Sequence, residues 1–209
     1  MSNNKRVLVF SATYNEIENI RELINGIQKY LPNTSILIID DNSPDKTQEV
    51  IKELKKNHNS LFLIERERKL GLDSAHKTAF KYAIENNFDY LITMDADLSH
   101  DPKELPEFIN NLRNFPFVIG SRYINGGKCL MRGFRLIMSK FGNQIIKTVS
   151  GIKCNEFTTS YRGFDLKNLE NFNLNNVKTK GYSFMMGTMF ELERLQCFTR
   201  SEFQDLSDV

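Results

Sequence analysis

The sequence predicts a Rossmann-like α/β/α sandwich, in which helices cover both faces of a mostly parallel sheet. Two observations predict this class. Short apolar runs alternate with amphipathic segments through residues 1–122, which is the pattern of strands joined by crossover helices. The apolar runs are rich in Val, Ile, Leu and Phe, as strands that are buried on both faces are.

The individual elements follow in order along this half of the chain. Strands are expected at residues 6–11, 35–40, 61–65, 90–94 and 117–120. Helices are expected at residues 16–30, 45–57, 74–86 and 102–114. Ser43-Pro44-Asp45 opens the second helix and Asp101-Pro102 opens the fourth, and both are ordinary signals for a helix start.

The pattern changes after residue 122. The recognisable segments are a Gly126-Gly127 loop, a basic helix at 134–149, a polar segment at 155–162 and an apolar Phe-Met run at 182–190. No Pro/Ser-rich linker separates them from the first half. A length of 209 residues fits one domain, at roughly 100 to 200 residues per domain. We therefore expect a second lobe packed on the first within a single domain.

Composition excludes several classes of protein. The 28 Lys and Arg residues against 26 Asp and Glu leave a net charge of +2, which is too balanced for a protein whose main work is attachment to nucleic acid. The three cysteines have no CxxC spacing and fit neither a disulfide framework nor a zinc site, so a reducing, cytoplasmic compartment is expected. No stretch approaches the roughly 18 apolar residues of a membrane span, and we expect a soluble or peripherally bound chain.

Polar side chains follow each predicted strand, where ligands of α/β sheets bind. Asp95 and Asp97 form the sharpest pair. Two residues apart at the end of an extended strand, they are expected to point to one face and to suit a Mg²⁺ or Mn²⁺ ion that also holds a phosphate. The alternative is that Asp97 opens a turn and Asp95 caps a neighbouring group.

Two other strand ends carry charged candidates. Asp41 lies where an acidic residue commonly accepts hydrogen bonds from a ribose or base, although it could also cap the following helix. Arg122 could grip a phosphate, although an exposed arginine is usually a solvated charge. His100 is the histidine nearest to the carboxylates. Dinucleotide oxidoreduction, P-loop hydrolysis and Ser-His-Asp hydrolysis are disfavoured because their motifs are missing.

Eight short motifs follow one another between residues 6 and 184. They read ATYNEIENI, IIDDNSPDKT, ERERKLGLDSAHKTAFKYA, MDADLSHDPKELPEFI, VIGSRY, RGFRLIMSKFGN, EFTTSYRGF and KGYSF. In order and spacing they resemble the family-2 glycosyltransferases, most closely the dolichol-phosphate mannosyltransferases and their bacterial polyprenyl-phosphate relatives. The resemblance implies the GT-A nucleotide-diphospho-sugar transferase fold over a single domain, 1–209. Residues 1–122 would be its nucleotide-sugar-binding half, residues 123–195 its acceptor-side half, and residues 196–209 an atypical or truncated tail.

The resemblance also implies roles for individual residues. The expected donor-binding residues are Thr13, Tyr14, Glu16, Asp41, Asp95, Ala96, Asp97 and Arg122. Asp95 and Asp97 would hold the metal. The expected acceptor-phosphate residues are Arg122, Arg135 and Ser139, and the expected catalytic residues are Asp97, Arg122 and Arg135.

The activity implied by the resemblance is an inverting hexosyl transfer. Mannose or glucose would pass from GDP-mannose or UDP-glucose to a polyprenyl or dolichyl phosphate at the cytoplasmic face of a membrane. An ionised phosphate acceptor needs no strong general base, whereas a sugar hydroxyl does. The alternatives are a transferase acting on a polysaccharide or other sugar hydroxyl, and a nucleotide-sugar-binding protein with impaired catalysis.

Some positions depart from the family pattern. Ser99 stands where many relatives have Gln, Asp73 where Gly is common, and Glu156 where Asp is frequent. After KGYSF the family shows Gln, an apolar residue and Glu, whereas this chain has Met185, Met186 and Gly187. Residues 196–209 lack the family's next strand and its phosphate-contacting stretch, so no strand is assigned there.

The basic helix at 134–149 allows two interpretations. Its charged side could lie against anionic lipid headgroups as a peripheral membrane contact. Its apolar side could instead pack on the sheet, which is the interpretation that we favour.

Overall fold

The described strands form one sheet that helices cover on both faces. The computed structural model describes residues 5–121, 144, 146–148, 152, 154 and 156–195, and the backbone of residues 204–206. The strands are β1 (Val7–Thr13), β2 (Ser35–Asp40), β3 (Leu61–Glu65), β4 (Tyr90–Thr93), β5 (Phe117–Gly120), β6 (Arg162–Asp165) and β7 (Gln204–Leu206). The helices are α1 (Ile20–Tyr30), α2 (Thr47–Lys55), α3 (Leu72–Glu85), α4 (Leu105–Leu112) and α5 (Tyr182–Arg194), and 3-10 turns lie at Pro102–Glu104 and Leu174–Asn176.

The sheet has the order β3-β2-β1-β4-β6-β5-β7. Its neighbouring strands are parallel except where β6 lies between β4 and β5, antiparallel to both. The predicted α/β class with a mostly parallel sheet is therefore confirmed.

Two apolar layers hold this sheet. Because side chains alternate across a strand, Val9 faces one layer while Leu8 and Phe10 face the other. The first layer receives α1, whose buried residues recur at helical spacing, together with α2 and α4: Ile20, Leu23, Ile24, Ile27, Ile51, Leu54, Leu105, Phe108 and Leu112. The second layer receives α3 and α5 through Ala75, Ala79, Phe80, Ala83, Phe184, Met185, Met189 and Leu192.

The structure differs from the expected elements at several places. α1 begins at Ile20 rather than at residue 16, because Asn15 takes a left-handed conformation (φ 64°) and residues 17–19 form a turn. β6 was not predicted, since its four residues begin and end with charged side chains that read as part of the polar segment. β7 lies within 196–209, so the expectation of no strand there is wrong.

The predicted helix at 134–149 falls mostly outside the described residues. Residues 144 and 146–148 are helical. Ile146 is half-buried and packs against the layer that holds α3 and α5. This contact supports the interpretation in which the apolar side of the helix packs within the domain.

Candidate active site

The carboxyl ends of β1, β2, β3 and β4 meet at one edge of the sheet, and their loops leave from that edge. The segment 156–161 reaches the same edge, because it leads into the antiparallel strand β6 beside β4. This edge therefore collects the described candidate residues: Thr13, Tyr14, Glu16, Asp41, Asp95, Ala96 and Asp97.

Asp95 and Asp97 lie beyond the end of β4 rather than on it. β4 ends at Thr93, and Leu98 takes a left-handed conformation (φ 61°) that bends the chain. Strand alternation, which holds only for an extended chain, therefore does not set the direction of Asp97. Asp97 is exposed, and its Oδ1 accepts the N–H of Ser99 at 3.0 Å, so the turn role that we considered is present. Its Oδ2 accepts no hydrogen bond from a described residue.

Asp95 is held from two sides. Its backbone N–H donates to Nδ1 of His100 at 2.9 Å, and its Oδ1 accepts the hydroxyl of Ser160 at 2.5 Å. Because Nδ1 accepts, the imidazole is neutral and carries its proton on Nε2. That nitrogen lies 3.3 Å from Oγ1 of Thr159 and 3.9 Å from Oδ2 of Asp95. The Asp95 side chain remains 40% exposed, so its carboxylate is open to a ligand.

Asp40 is a buried residue whose carboxylate accepts hydrogen bonds from several parts of the chain. It is fully buried, and four donors point at its two carboxylate oxygens: Thr13 Oγ1, Ser43 N, Ser43 Oγ and Gln48 Nε2, at 2.6 to 2.8 Å. The hydroxyl of Thr13 is therefore directed into the protein, where it ties the end of β1 to the end of β2. This buried network fixes the start of both loops at the candidate site.

Asp41 ties the end of β2 to the loop after β3. Its Oδ1 accepts Arg66 Nη1 at 2.9 Å, and both side chains are at least nine-tenths buried. Its Oδ2 accepts the backbone N–H groups of Leu70 and Gly71 at 3.2 and 2.9 Å. Three donors thus occupy this carboxylate, which leaves about one lone-pair position for a ligand.

Tyr14 and Glu16 form the outer part of the same edge. Tyr14 is 39% exposed, and the ammonium of Lys69 lies 3.7 Å from the centre of its ring, which is a cation–π contact. Glu16 is half-buried and accepts Asn19 Nδ2 at 2.8 Å. Together with Lys69, the pair presents an aromatic ring, a hydrogen-bond acceptor and a cation beside one another. This combination suits a ligand that carries a nucleotide base and a phosphate.

Arg162 braces the segment that reaches Asp95. Its guanidinium is buried and donates to the carbonyl oxygens of Thr159 and Phe157 at 2.8 and 3.0 Å. Burial lowers the pKa of Arg162 to about 10, so the guanidinium stays charged near neutrality. A charged donor on two carbonyls keeps segment 156–161 in one conformation.

The carboxylate oxygens of Asp95 and Asp97 fit one kind of metal site. Within the described ranges, no group of three or more His, Cys, Asp or Glu side chains is arranged to hold a metal. Neither aspartate forms a salt bridge with a described Lys or Arg. Magnesium and manganese are commonly bound through one or two carboxylates, while water and substrate phosphates complete the shell. The pair therefore fits a cation that is shared with a phosphate ligand and does not fit a closed structural site.

Gly187 lies in α5 at a point where neighbouring side chains approach the helix backbone closely. A Cβ atom at this position would lie 2.2 Å from Oγ1 of Thr179 and 2.9 Å from Cγ1 of Val177. The space that a side chain at this position would need is thus occupied by two neighbouring side chains.

Some expected residues lie outside the described ranges, and others went unnoticed in the sequence. Arg122, Arg135 and Ser139 are outside the described residues. Sequence reasoning did not single out Arg66, Lys69 or Ser160, which the structure places at this edge. Arg66 and Lys69 stand in a quoted motif, so a signal existed for them. Ser160 stands in the quoted motif EFTTSYRGF as well, but its contact with Asp95 depends on the pairing of β6 with β4, which the motif does not reveal.

None of the described helices combines the length and the apolar character that crossing a bilayer requires.

Comparison with known proteins places the chain among sugar transferases. The sequence pattern of the family described as "Glycosyl transferase family 2" matches residues 8–189. Undecaprenyl-phosphate mannosyltransferase of Micrococcus luteus is 32% identical over 191 residues, which are 91% of this chain and 79% of that protein. Polyprenol monophosphomannose synthase of Mycolicibacterium smegmatis is 33% identical over 187 residues, which are 87% of this chain and 70% of that protein.

Solved structures of similar fold have lower sequence identity. Glucosyl-3-phosphoglycerate synthase from Mycobacterium tuberculosis, in complex with Mn²⁺, uridine diphosphate and glucosyl-3-phosphoglycerate, has a TM-score of 0.69 at 15% identity. The alignment covers 99% of this chain and 71% of that chain. The mannosyltransferase PcManGT from Pyrobaculum calidifontis, in complex with GDP-Man and Mn²⁺, has a TM-score of 0.57 at 19% identity, covering 81% of this chain and 47% of that chain.

Proposed function

Because the chain belongs to glycosyl transferase family 2, we propose that it transfers a hexose from a nucleotide-diphosphate sugar to a polyprenyl phosphate, with inversion at the anomeric carbon. The observation that carries the proposal is the pair Asp95 and Asp97, unpaired by any described cation at the ligand-binding edge of a GT-A fold. The acceptor class is supported by the two relatives at 32% and 33% identity, since both are named for polyprenol products or acceptors. Mannose is favoured by the same names, and we propose GDP-mannose as its donor, with UDP-glucose as the other donor to test.

The metal-binding part belongs to Asp95 and Asp97, which would hold Mg²⁺ or Mn²⁺ through Asp95 Oδ2 and an oxygen of Asp97. When bound, such an ion neutralises negative charge on the departing diphosphate. The buried Ala96 between them would contribute its backbone to the donor site. Lys69, whose ammonium lies over the Tyr14 ring, would add positive charge for a phosphate-bearing donor at this edge.

The base-binding part belongs to Tyr14 and Glu16, whose side chains border the edge. For Thr13 and Asp41 we infer a mainly indirect part, because both side chains are committed to contacts within the protein. They shape the two loops that border the donor.

The proposed acceptor phosphate needs little chemical activation by the enzyme. A phosphate monoester has a second pKa of about 6 and is largely ionised near neutrality, so its oxygen attacks without a strong general base. Arg122, Arg135 and Ser139 are our candidates for holding this phosphate. Because the polyprenyl chain resides in a bilayer, the enzyme would work at the cytoplasmic face of a membrane as a peripheral protein.

Both halves of the chain would belong to one domain spanning residues 1–209. The support is β6, which comes from the second half and lies inside the sheet between β4 and β5 of the first. Residues 1–122 would bind the donor and residues 123–195 the acceptor.

A second candidate function is nucleotide-sugar binding with impaired turnover. The observation that favours it is Gly187, where packing against Thr179 and Val177 leaves no room for the carboxylate that the family carries. Binding and transfer must therefore be measured separately.

The test incubates purified protein and Mn²⁺ with radiolabelled GDP-mannose or UDP-glucose and a short polyprenyl phosphate, and counts label in the organic phase. Asp97→Asn should lower kcat/KM by about 100-fold or more, since metal-assisted charge neutralisation contributes several kcal/mol. Asp101→Asn is the matched control, because asparagine can keep the cap on the N–H of Lys103. Full transfer by Asp97→Asn would refute the site, and nucleotide binding without transfer would favour the second candidate.

A further inference from the structure

Ser160 lies opposite Asp95 in the continued register of two strands. β4 and β6 pair antiparallel, with Thr93 beside Arg162. Because the strands are antiparallel, the same register places the residue two positions after Thr93, which is Asp95, beside the residue two positions before Arg162, which is Ser160. The hydroxyl of Ser160 donates to Asp95 Oδ1 at 2.5 Å, and Ser160 is 4% exposed. The contact is therefore built into the pairing of the strands.

The backbone around this hydroxyl is fixed by its neighbours. The carbonyl oxygen of Ser160 accepts the hydroxyl of Thr93. Oγ1 of Thr159 accepts the N–H of Tyr161 at 3.1 Å, and Arg162 holds the carbonyl of Thr159. A donor on a segment held at so many points keeps its direction, which is what orientation of a ligand-binding group requires.

The contact acts differently on the two oxygens of Asp95. Ser160 occupies Oδ1, while Oδ2 accepts no hydrogen bond from a described residue and lies 3.9 Å from Nε2 of His100, on a side chain that is 40% exposed. The His100 contact fixes the backbone at the same residue. Ser160 therefore restricts rotation of the carboxylate and leaves Oδ2 as the oxygen that accepts no hydrogen bond from a described residue. Such an arrangement favours binding of a cation through a single oxygen, as in sites completed by phosphate and water.

We propose that Ser160 is a positioning residue that orients Asp95 for binding of a divalent cation together with a nucleoside diphosphate. The proposal rests on the proposed function of this edge. Hydrogen-bond partners behind metal ligands fix ligand orientation, and their removal typically lowers metal affinity by about 10- to 100-fold.

The test measures Mn²⁺ binding directly. Free Mn²⁺ gives a sharp electron paramagnetic resonance signal that is lost on binding, so titration in the presence of GDP, and separately of UDP, yields the metal Kd without any turnover. The variants are Ser160→Ala and Ser160→Gly, which lack the hydroxyl, and Ser160→Thr, which keeps it. Thr158→Ala is the matched control, because Thr158 donates to the carboxylate of Glu156 on the same segment and does not contact Asp95.

We expect the two variants without the hydroxyl to raise the Mn²⁺ Kd by about tenfold. Ser160→Thr should restore most of the affinity, and Thr158→Ala should leave it unchanged. In the transfer assay, the Mn²⁺ concentration for half-maximal rate should rise while kcat at saturating Mn²⁺ changes less.

The contrary results are distinguishable. If the wild-type protein binds no Mn²⁺ with either nucleotide, the proposed metal site fails and this inference fails with it. If the wild type binds Mn²⁺ and both variants lacking the hydroxyl bind equally well, the positioning role is overturned while the proposed function stands. A loss shared by Thr158→Ala and following the unfolding midpoints would mean that Ser160 is structural, which also overturns the proposal.

Discussion

Replacing Gly187 by alanine tests whether packing excludes a side chain from this position of α5. The added Cβ would lie 2.2 Å from Thr179 Oγ1 and 2.9 Å from Val177 Cγ1, both well inside normal contact. Thr179 cannot turn away freely, because its hydroxyl donates to the carbonyl of Ser183 at 3.0 Å. Val177 is buried and has little room to move.

The expected cost can be worked from these contacts. Alanine gains about 1 kcal/mol over glycine in a helix interior. Overpacking costs about 1 to 3 kcal/mol, and breaking the Thr179 hydrogen bond about 1 kcal/mol more. Gly187→Ala should therefore lower the free energy of unfolding by about 1 to 3 kcal/mol, measured by urea denaturation followed by circular dichroism.

Two further variants identify the cause. Thr179→Ala removes the closest atom, so the Gly187→Ala change should cost less in that background than in the wild type, and the difference is the coupling energy. Gly26→Ala makes the same change in α1, where the nearest atom, Pro102 Cγ, lies at 3.0 Å, and its cost should be smaller. A Gly187→Ala protein as stable as the wild type would refute the reasoning and would remove the main structural support for impaired turnover.

Two further predictions concern buried ionisable groups. Arg66→Met should lower the free energy of unfolding by about 3 kcal/mol, because it leaves Asp41 buried without its cation, and adding Asp41→Asn should recover part of the loss in urea denaturation. Burial lowers the pKa of His76 from its ordinary 6.5 to about 3, so the unfolded chain takes up the proton first as the pH falls, and stability is lost from about pH 6.5 downward. Between pH 7 and 5.5 this residue should remove about 1.3 kcal/mol, and His76→Leu should lack that part of the pH dependence; equal pH profiles for the two proteins would contradict the assignment.

The sequence predicted best what depends on neighbours along the chain. The bounds of β2, β3 and β5 match the expected ranges, because each is an apolar run that ends in turn-forming or polar residues. The GT-A fold is confirmed as well. β6 escaped prediction because its four residues gain their strand conformation from pairing with β4, some 70 residues away. Pairing at that distance leaves no local periodicity to read.

Asp40 and Asp41 show the same limit at the level of single side chains. They are adjacent acids at the end of β2, and sequence reasoning favoured Asp41 for ligand contact. The structure places Asp40 among four donors and Asp41 among three, so both carboxylates are largely used within the protein. Which acid is committed inward depends on donors that come from β1, α2 and the loop after β3, and the local sequence does not contain that information.

The contrast between the two pairs of acids bears on what this edge can bind. Asp40 and Asp41 receive seven donors between them, whereas Asp95 and Asp97 receive one side-chain hydroxyl and one backbone N–H on their carboxylates from described residues. Partly exposed carboxylates two residues apart repel each other unless a cation lies between or beside them. The first pair builds the loops, and the second pair carries negative charge that no Lys or Arg among the described residues neutralises. A nucleoside diphosphate, itself an anion, can approach that charge favourably when a divalent cation accompanies it. In the proposed site the same carboxylates would repel the diphosphate when no cation is present, so metal and nucleotide should bind together, and the affinity for each should rise when the other is present.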